Sequence, residues 1–392
     1  MKLWLVKDGK LAAVDGGVVN ELPDGIRAGY TRRIIDSAKR REWKTTGEGA
    51  KFAGTFEPGA DAESRAGSIR ASVTGIAEYG GAVCFSETID EISGIFKKVS
   101  ADDNSEAIAV SSNDRIYTGL DIYRHRAATS ISRAGESHIA VADLPSFDFS
   151  EVTEGHTVES DPVWSRTEPD VLYFSSAGLP EQTGEQPVGP IMTPAAIMNA
   201  MERPAASRGP AALCRLDLRS GEFTTLLEDD SFDFLKPFAA EDGSLYYIKR
   251  PYSVEKPNGC LFDALMLPVR LVKSLFGFLS FFSLKYSGSP LRSGGVQAKG
   301  QDTGKIFIEG NLIDAEHELK ANRNDKAPGI IPKSWELRKR LPDGSDNLVA
   351  RGVRCFSVGV KVVYSNGKYL LTPDGEVVAK CDGVSALRFI AD

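Results

Sequence analysis

The stretch that predicts the fold is SDPVWS at residues 160–165 with VLYFSS at residues 171–176, and a turn lies between these two segments. A second strand, turn and strand unit follows at residues 236–249, KPFAAEDGSLYYIK. When the two copies are superposed, the matching pairs are Pro162 with Pro237, Trp164 with Ala239, and Tyr173 with Tyr246. Short strands that recur around turns rich in Asp, Pro and Gly indicate an internal repeat of strand pairs. The repeat therefore predicts an all-β fold.

A repeat of this kind is typical of a β-propeller, whose blades of about 40 residues share one closed ring. With 392 residues and 42% apolar content, the chain is long enough for one propeller domain over residues 1–392. The strand patterns predict six blades, the second at 69–99 and the third at 107–155. A seventh blade is possible if residues 30–52 form a degenerate one. We expect the C-terminal strand at 384–390 to join the N-terminal strands and close the ring.

Composition and charge indicate where the protein works. A net charge of -7 argues against a nucleic-acid-binding protein. The cysteines are odd in number and form no CxxC pair, which favours a reducing compartment. They are Cys84, Cys214, Cys260, Cys355 and Cys381. Near the N-terminus the apolar run at 3–6 is too short for the apolar region of a signal peptide, so we expect a cytoplasmic protein.

Two insertions interrupt the predicted ring. The smaller, residues 177–210, lies in the fourth blade, and the larger, residues 251–333, lies in the fifth. The larger insertion contains an apolar segment at 261–285 that predicts a helix. Its length would suffice to cross a bilayer, but Arg270 and Lys273 offset its apolar residues. A single span would also separate the strands that close the ring, so we do not expect a membrane span.

Three locations remain open for this apolar helix. It packs on its own propeller, it docks on a partner protein, or it lies in a membrane interface, where its basic residues would meet anionic headgroups. The residues predicted to contact a partner or a membrane are Leu265, Arg270, Lys273, Phe276, Phe278, Phe281 and Phe282.

The stretch at 30–52 is strongly basic and offers a second candidate contact. Its basic residues predict either a solvated strand pair on an outer edge or a patch that faces an anionic partner. The candidate anion-facing residues are Arg32, Arg33, Lys39, Arg40, Arg41 and Lys44.

Motifs of catalytic chemistry are not found in the sequence. The four histidines have no metal-binding spacing, and no nucleophile elbow or phosphate-binding glycine loop occurs. We therefore predict no catalytic, cofactor-binding or metal-binding residue, and no cofactor. His156 and Asp161 could face a central channel, but Trp164 and Tyr173 are better explained as core between blades.

The segments at 161–165 and 171–176 resemble the WD40-like repeat of TolB-type propellers, in which an Asp-x-x-Pro-x-Trp-Ser segment leads to a Tyr-Phe-Ser strand. The segments at 137–144 and 213–221 resemble that family's strand ending in Asp-Leu and its Ser-Gly turn. The resemblance implies a propeller architecture and protein binding. Similar repeats precede the catalytic domain of prolyl oligopeptidase-like peptidases, but no hydrolase domain follows here.

Taken together, the sequence predicts a non-enzymatic, cytoplasmic scaffold that binds a protein partner, with residues 251–333 as its contact element. Recruitment to the inner face of a membrane could coexist with this function. The alternative is a metal-dependent hydrolase or a small-ligand-binding propeller that uses the central channel. The oligomeric state is not predicted.

Overall fold

The structure is a computed structural model that describes the following ranges: 2–45, 71–90, 92–99, 105–111, 115–133, 135–179, 208–252, 305–309 and 311–390. Within these ranges the chain is nearly all β, with 26 strands and two helices. It divides into two compact units. The first contains Met1–Asp24, Ala71–Ser253 and Gly304–Asp392; of the second, only helix α1 (Gly25–Thr45) is described. The domain bounds 1–392, 177–210 and 251–333 stay predictions.

The first unit consists of antiparallel sheets in which consecutive strands are neighbours. The N-terminal sheet has the order β26 (Val384–Ile390), β1 (Lys2–Lys7), β2 (Lys10–Asp15) and β3 (Val18–Glu21). The next sheet contains β4 (Ala71–Tyr79), β5 (Ala82–Ile89), β6 (Ile92–Lys98) and β7 (Glu106–Ser111).

An eight-stranded sheet follows, and it consists of two meanders. The first contains β8 (Ile116–Tyr123), β9 (Arg126–Arg133), β10 (Glu136–Asp143) and β11 (Ser150–Glu151). The second contains β12 (Thr157–Trp164), β13 (Val171–Gly178), β14 (Ala212–Asp217) and β15 (Glu222–Leu227). A single parallel bridge between Ser137 and Val158 joins the two meanders.

Two further four-stranded sheets complete the series. One has the order β16 (Phe232–Ala239), β17 (Leu245–Pro251), β20 (Glu336–Arg340) and β21 (Asp346–Arg351). The other contains β22 (Cys355–Val358), β23 (Val362–Ser365), β24 (Tyr369–Leu371) and β25 (Val377–Lys380). Between β17 and β20 the chain also forms the hairpin of β18 (Lys305–Ile308) and β19 (Asn311–Asp314), followed by α2 (Ala315–Ala321).

The C-terminal strand β26 pairs with the N-terminal strand β1, from Lys2 opposite Ile390 to Lys7 opposite Val384. This is the pairing that the sequence analysis expects of these strands. Val384 and Leu387 of β26 pack in one apolar core with Leu3 and Leu5 of β1, and burial of this apolar surface stabilises the pairing. The number of blades and the closure of a ring stay predictions.

Burial falls from the middle of a meander to its outer strand. In β5 nearly every residue is buried, because both faces of the strand pack against neighbouring side chains, whereas β3 and β15 are mostly exposed. Trp164 lies in the core with Ala128 and Ile139 of the preceding meander and with Leu172 and Phe174 of its own. Trp164 therefore packs between two meanders of one sheet, and the prediction that Trp164 and Tyr173 form core between blades stays a prediction.

The helix α1 corrects the prediction for residues 30–52, which the sequence analysis treats as a strand pair or a degenerate blade. The chain is helical from Gly25 to Thr45. Arginine and lysine, which are good helix formers, supply seven of the 21 residues of this segment, against five β-branched residues. Residues 46–52 lie outside the described part of the chain.

A second correction concerns the third blade, which was predicted to begin at residue 107. Strand β7 at Glu106–Ser111 pairs with β6 and completes the preceding sheet. The third meander begins with β8 at Ile116 and takes its fourth strand from β11. A strand at the end of one meander and a strand at the start of the next have the same local pattern, so pairing decides the boundary.

The apolar segment 261–285 lies outside the described residues, as do residues 180–207 of the smaller insertion. In the described part of the chain, neither helix combines the length and the apolar character that crossing a membrane requires.

Candidate functional site: a charged cavity in the first unit

The first unit contains a cavity of about 660 Å³. Residues of β4, β8, β12, β16, β22 and β26 line it, and each of these is the first strand of its meander. Arg208, Arg250 and Glu309 complete the lining. A volume of this size lies within the range of small-ligand sites, roughly 300–1,000 Å³.

Two matching β-bulges bring charged residues to the cavity wall. Asp161 in β12 and Lys236 in β16 both precede a proline, and both have positive φ, 54° and 52°. The register shifts at the same place in each strand. Gly119 in β8 has a φ of 67° at a comparable shift. Positive φ is uncommon for residues other than glycine, and bulges re-aim side chains, so this backbone favours a functional role for the two positions.

One side of the cavity is held by the Asp121 clasp, which we define as Asp121, Arg166 and Arg388. The Asp121 carboxylate accepts four hydrogen bonds: two from Arg166 at 2.9 and 3.1 Å, one from Arg388 at 2.6 Å and one from the Trp164 N–H at 2.9 Å. Burial alone would raise the pKa of Asp121, but Arg166 and Arg388 hold that pKa below its usual value. The clasp ties β8 to the end of β12 and to β26.

The Glu309 cluster lies elsewhere on the cavity wall; we define it as Arg208, Asp233, Lys236, Arg250, Glu309 and Arg354. Its central contact joins Lys236 Nζ to Glu309 Oε1 at 2.7 Å. Lys236 Nζ also donates to the backbone oxygens of Arg354 and Ser385, at 3.3 and 3.1 Å. Burial alone would raise the pKa of Glu309, but Lys236, with Arg354 and Arg250, lowers it.

Arg250 is the most deeply buried cation of this cluster. Its side chain is 1% exposed, and its Nε donates to Asp233 Oδ2 at 3.0 Å. Its Nη2 donates to the backbone oxygen of Glu309 at 3.1 Å, and the guanidinium lies 4.8 Å from the centre of the Trp335 ring. The remaining nitrogen, Nη1, has no hydrogen-bond partner in the described part of the chain; its distance from Glu309 Oε2 is 3.9 Å.

Asp161 faces the same cluster but lacks a cation at salt-bridge distance among the described contacts. Its carboxylate accepts a hydrogen bond from the Ser160 hydroxyl at 3.2 Å. Burial raises the pKa of Asp161 above its usual value, although Lys236 opposes this shift. The cavity therefore contains two aspartates, Asp121 and Asp161, whose pKa values are shifted in opposite directions.

The sulfur of Cys355 also lines this wall. Burial raises the pKa of its thiol to about 11, and the thiol donates to the backbone oxygen of Val384 at 3.7 Å. A thiol with this pKa is protonated near neutral pH and is a poor nucleophile.

The residues that the sequence singled out do not meet at this cavity, with one exception. Asp161 lines it, but His156 lies elsewhere, where its Nδ1 is 2.6 Å from Glu136 Oε1. The predicted contact residues of segment 261–285 are outside the described part of the chain.

Four residues of the predicted anion-facing patch are exposed on α1: Arg32, Arg33, Lys39 and Arg40. A spacing of seven residues places Arg32 near Lys39 and Arg33 near Arg40 on one helix face. For Arg41 and Lys44, only the helical backbone is described. The role of this patch stays a prediction.

Sequence reasoning missed the charged groups of the cavity, namely Asp121, Asp233, Arg250, Glu309 and Arg388. The superposed repeat pointed to the cavity indirectly, because placing Pro162 on Pro237 also places Asp161 on Lys236. Among the described residues, no group of three or more His, Cys, Asp or Glu is arranged to hold a metal ion.

No protein-family model matches the sequence, and no curated protein matches it. Similar solved structures include TolB from Acinetobacter baumannii, at 8% identity and a TM-score of 0.48, covering 100% of this chain and 67% of that chain. A chain of the nidogen/laminin complex is similar at 8% identity and a TM-score of 0.45, covering 99% and 97% of the two chains. The tricorn protease is similar at 10% identity and a TM-score of 0.41, covering 96% and 32%. At these values the similarities carry no argument about activity or partners.

Proposed function

We propose that this protein is a six-bladed β-propeller that works as a non-enzymatic binding scaffold. The proposal treats each four-stranded meander as one blade and the β26–β1 pairing as the closure of the ring. The common lining of one cavity by the first strands of all these meanders supports this architecture.

The observation that carries the non-enzymatic part is the pairing of two cavity carboxylates, Asp121 and Glu309, with buried cations. Asp121 is held by two guanidinium groups, and Glu309 by Lys236. Catalytic acids and bases need a pKa near the working pH and access to a substrate. Carboxylates with lowered pKa values in tight ion pairs suit the positioning of strands, and the Cys355 thiol is too weak an acid to attack.

The partner contact belongs, in this proposal, to the segment 261–285. Cross-linking of the purified full-length chain to proteins of a cell extract, followed by mass spectrometry, tests it through Lys273 and Lys285. We expect cross-links from these lysines to another protein. The matched control replaces residues 261–285 with a Gly-Ser linker of equal length and should lose that protein. Cross-links confined to the chain itself would overturn the proposal of a partner contact.

A membrane surface is the other outcome that this segment allows. Sedimentation with liposomes containing about 30% anionic lipid distinguishes it, because headgroup attraction weakens with salt. Salt-sensitive pelleting of the full chain, lost in the linker variant, would identify a membrane as the contact instead of a protein. Metal analysis tests the hydrolase alternative: one tightly held divalent ion per chain would contradict a non-enzymatic scaffold.

A further inference from the structure

The Glu309 cluster contains more positive than negative groups. Its cations are Arg208, Lys236, Arg250 and Arg354, and its carboxylates are Asp233 and Glu309, which leaves an excess of two positive charges. Asp161 also interacts electrostatically with Lys236, and its ionised carboxylate reduces this excess to one positive charge. This excess stands out in a protein whose net charge is -7.

Two nitrogen atoms of the cluster lack the hydrogen-bond acceptors that buried donors ordinarily have. Among the described residues, Arg250 Nη1 and Arg354 Nε have no hydrogen-bond partner; the nearest Glu309 carboxylate oxygens lie 3.9 and 3.8 Å from them. A buried donor without an acceptor loses the hydrogen bond that it makes with water in the unfolded chain, so native structures rarely contain one without a reason. Arg250 is locked by Asp233, by the Glu309 backbone and by the Trp335 ring, so it is pre-organised to receive an acceptor.

Arg208 adds a cation that is only loosely paired. Its Nη2 lies 4.0 Å from Asp233 Oδ2, an oxygen that Arg250 already holds at 3.0 Å, and its side chain is 33% exposed. Pro162, Pro237 and Leu235 supply apolar surface on the same cavity wall. A cationic end beside an apolar wall matches a small molecule with an anionic group and a carbon skeleton.

We propose that the Glu309 cluster binds the carboxylate or phosphate group of a small organic anion through Arg250 and Arg208, while the apolar wall contacts the rest of the ligand. The ligand's oxygens supply acceptors for Arg250 Nη1 and a close counter-ion for Arg208. Lys236 pairs with the carboxylate of Glu309, so the guanidinium groups of Arg250 and Arg208 are available to the ligand. The proposal goes beyond the scaffold function and does not depend on a protein partner.

Isothermal titration calorimetry of the full-length protein with inorganic phosphate and, separately, with citrate tests this site at pH 7 and low salt. Binding of either probe is expected, and the preferred probe tells phosphate from carboxylate chemistry. Arg208→Gln should weaken binding on the order of tenfold, the loss expected for one charge-assisted hydrogen bond. Arg219→Gln is the matched control, because Arg219 is exposed on an outer turn and should leave binding unchanged.

Two further variants distinguish the loss of a ligand contact from a folding defect. Arg250→Gln should abolish binding, but it also removes a buried ion pair, so circular dichroism must show that it is folded. Asp161→Asn removes a negative charge from the wall without removing a cation, and it should tighten binding severalfold. Absence of binding by both probes, or binding that Arg208→Gln and Asp161→Asn leave unchanged, overturns the proposal. The cross-linking of segment 261–285 would be unaffected by that outcome.

Discussion

The Asp121 clasp and the Glu309 cluster occupy the wall of one cavity, but they differ in how completely their hydrogen bonds are satisfied. In the clasp, one buried carboxylate accepts four hydrogen bonds from two guanidinium groups and a backbone N–H. In the cluster, Arg250 Nη1 and Arg354 Nε lack an acceptor within the described ranges, and Arg208 lies 4.0 Å from the Asp233 carboxylate.

This difference separates a structural tie from a candidate binding site. A satisfied network lowers the energy of one arrangement of strands and offers nothing to a ligand. In an unsatisfied network some buried donors lack acceptors, so a ligand that supplies acceptors forms hydrogen bonds that the protein alone does not make. Charge alone would not distinguish the two, because both contain arginine and aspartate in the same cavity.

Deleting residues 384–392 should have the largest effect, because it removes Arg388 from the clasp and β26 from β1. Val384, Leu387 and Ile390 are buried, and each contributes roughly 1.5–3 kcal/mol. We expect a loss of more than about 5 kcal/mol in the free energy of unfolding, or aggregation through the exposed edge of β1. Urea unfolding measures the loss of stability and light scattering measures the aggregation, with deletion of residues 391–392 alone as the control. A truncated chain with an unchanged melting temperature would refute the closing role of β26.

Asp121→Asn breaks the clasp without shortening the chain. The amide leaves Arg166 and Arg388 without their counter-ion in a buried place, which should cost about 3–5 kcal/mol in the free energy of unfolding. Urea unfolding at pH 7 measures the loss. Asp148→Asn, at an exposed position, should change stability by less than about 0.5 kcal/mol. If the two variants are equally stable, the clasp is not a structural tie.

Arginine variants compare the two networks directly. Arg166→Gln removes two charged hydrogen bonds to Asp121, at 2.9 and 3.1 Å, and should cost about 1.5–3 kcal/mol or more. Arg208→Gln removes a long, partly exposed ion pair and should cost less than about 1 kcal/mol in the absence of ligand. Thermal melts of both variants in one buffer measure this order. The reverse order would show that Arg208, and not Arg166, belongs to the structural network.

The two cavity aspartates predict opposite pH dependences, and this is the smallest effect. The pKa of Asp121 is lowered in the folded state, so its stabilising contribution is complete above the unfolded pKa of about 4 and is lost as the pH falls through the folded pKa. The pKa of Asp161 is raised by burial, so its ionisation destabilises the fold as the pH rises through that pKa.

Asp161→Asn should therefore match or slightly exceed the wild type in stability at pH 7. Its advantage should shrink as the pH falls towards the unfolded pKa of about 4, because protonation of Asp161 in the folded state relieves the cost of its buried charge. Urea midpoints at pH 4, 5.5 and 7 test the sign. A variant that is less stable at pH 7 than at pH 4, relative to the wild type, would show that the Asp161 carboxylate is held by a cation.

Local pattern was sufficient for part of the fold. The repeat around Pro162 and Pro237 predicted β12 and β16 with their following strands. Local pattern failed for α1, for which a strand pair or a degenerate blade was predicted and a helix is found. It also misplaced β7, whose sheet is decided by hydrogen bonding to β6 and not by its own residues.

The candidate site was accessible to sequence analysis only at one position. The repeat aligns Asp161 with Lys236, and the structure gives both the same positive φ before a proline. The partners of these residues come from distant segments: Glu309 lies in the turn of the hairpin β18–β19, and Arg250 lies near the end of β17. No spacing rule connects such residues, since their proximity depends on the assembly of sheets.

By itself, the sequence determined the all-β class, the strand repeat and the strand that pairs with the N-terminus, because strand periodicity and turn chemistry act over a few residues. Only the tertiary structure decided which charges meet. Asp121 and Arg388 are 267 positions apart, and they form an ion pair because the sheets bring β8 and β26 to one cavity. Whether a charged group becomes a tie or a binding site depends on the acceptors and donors that surround it there, and these come from every part of the chain.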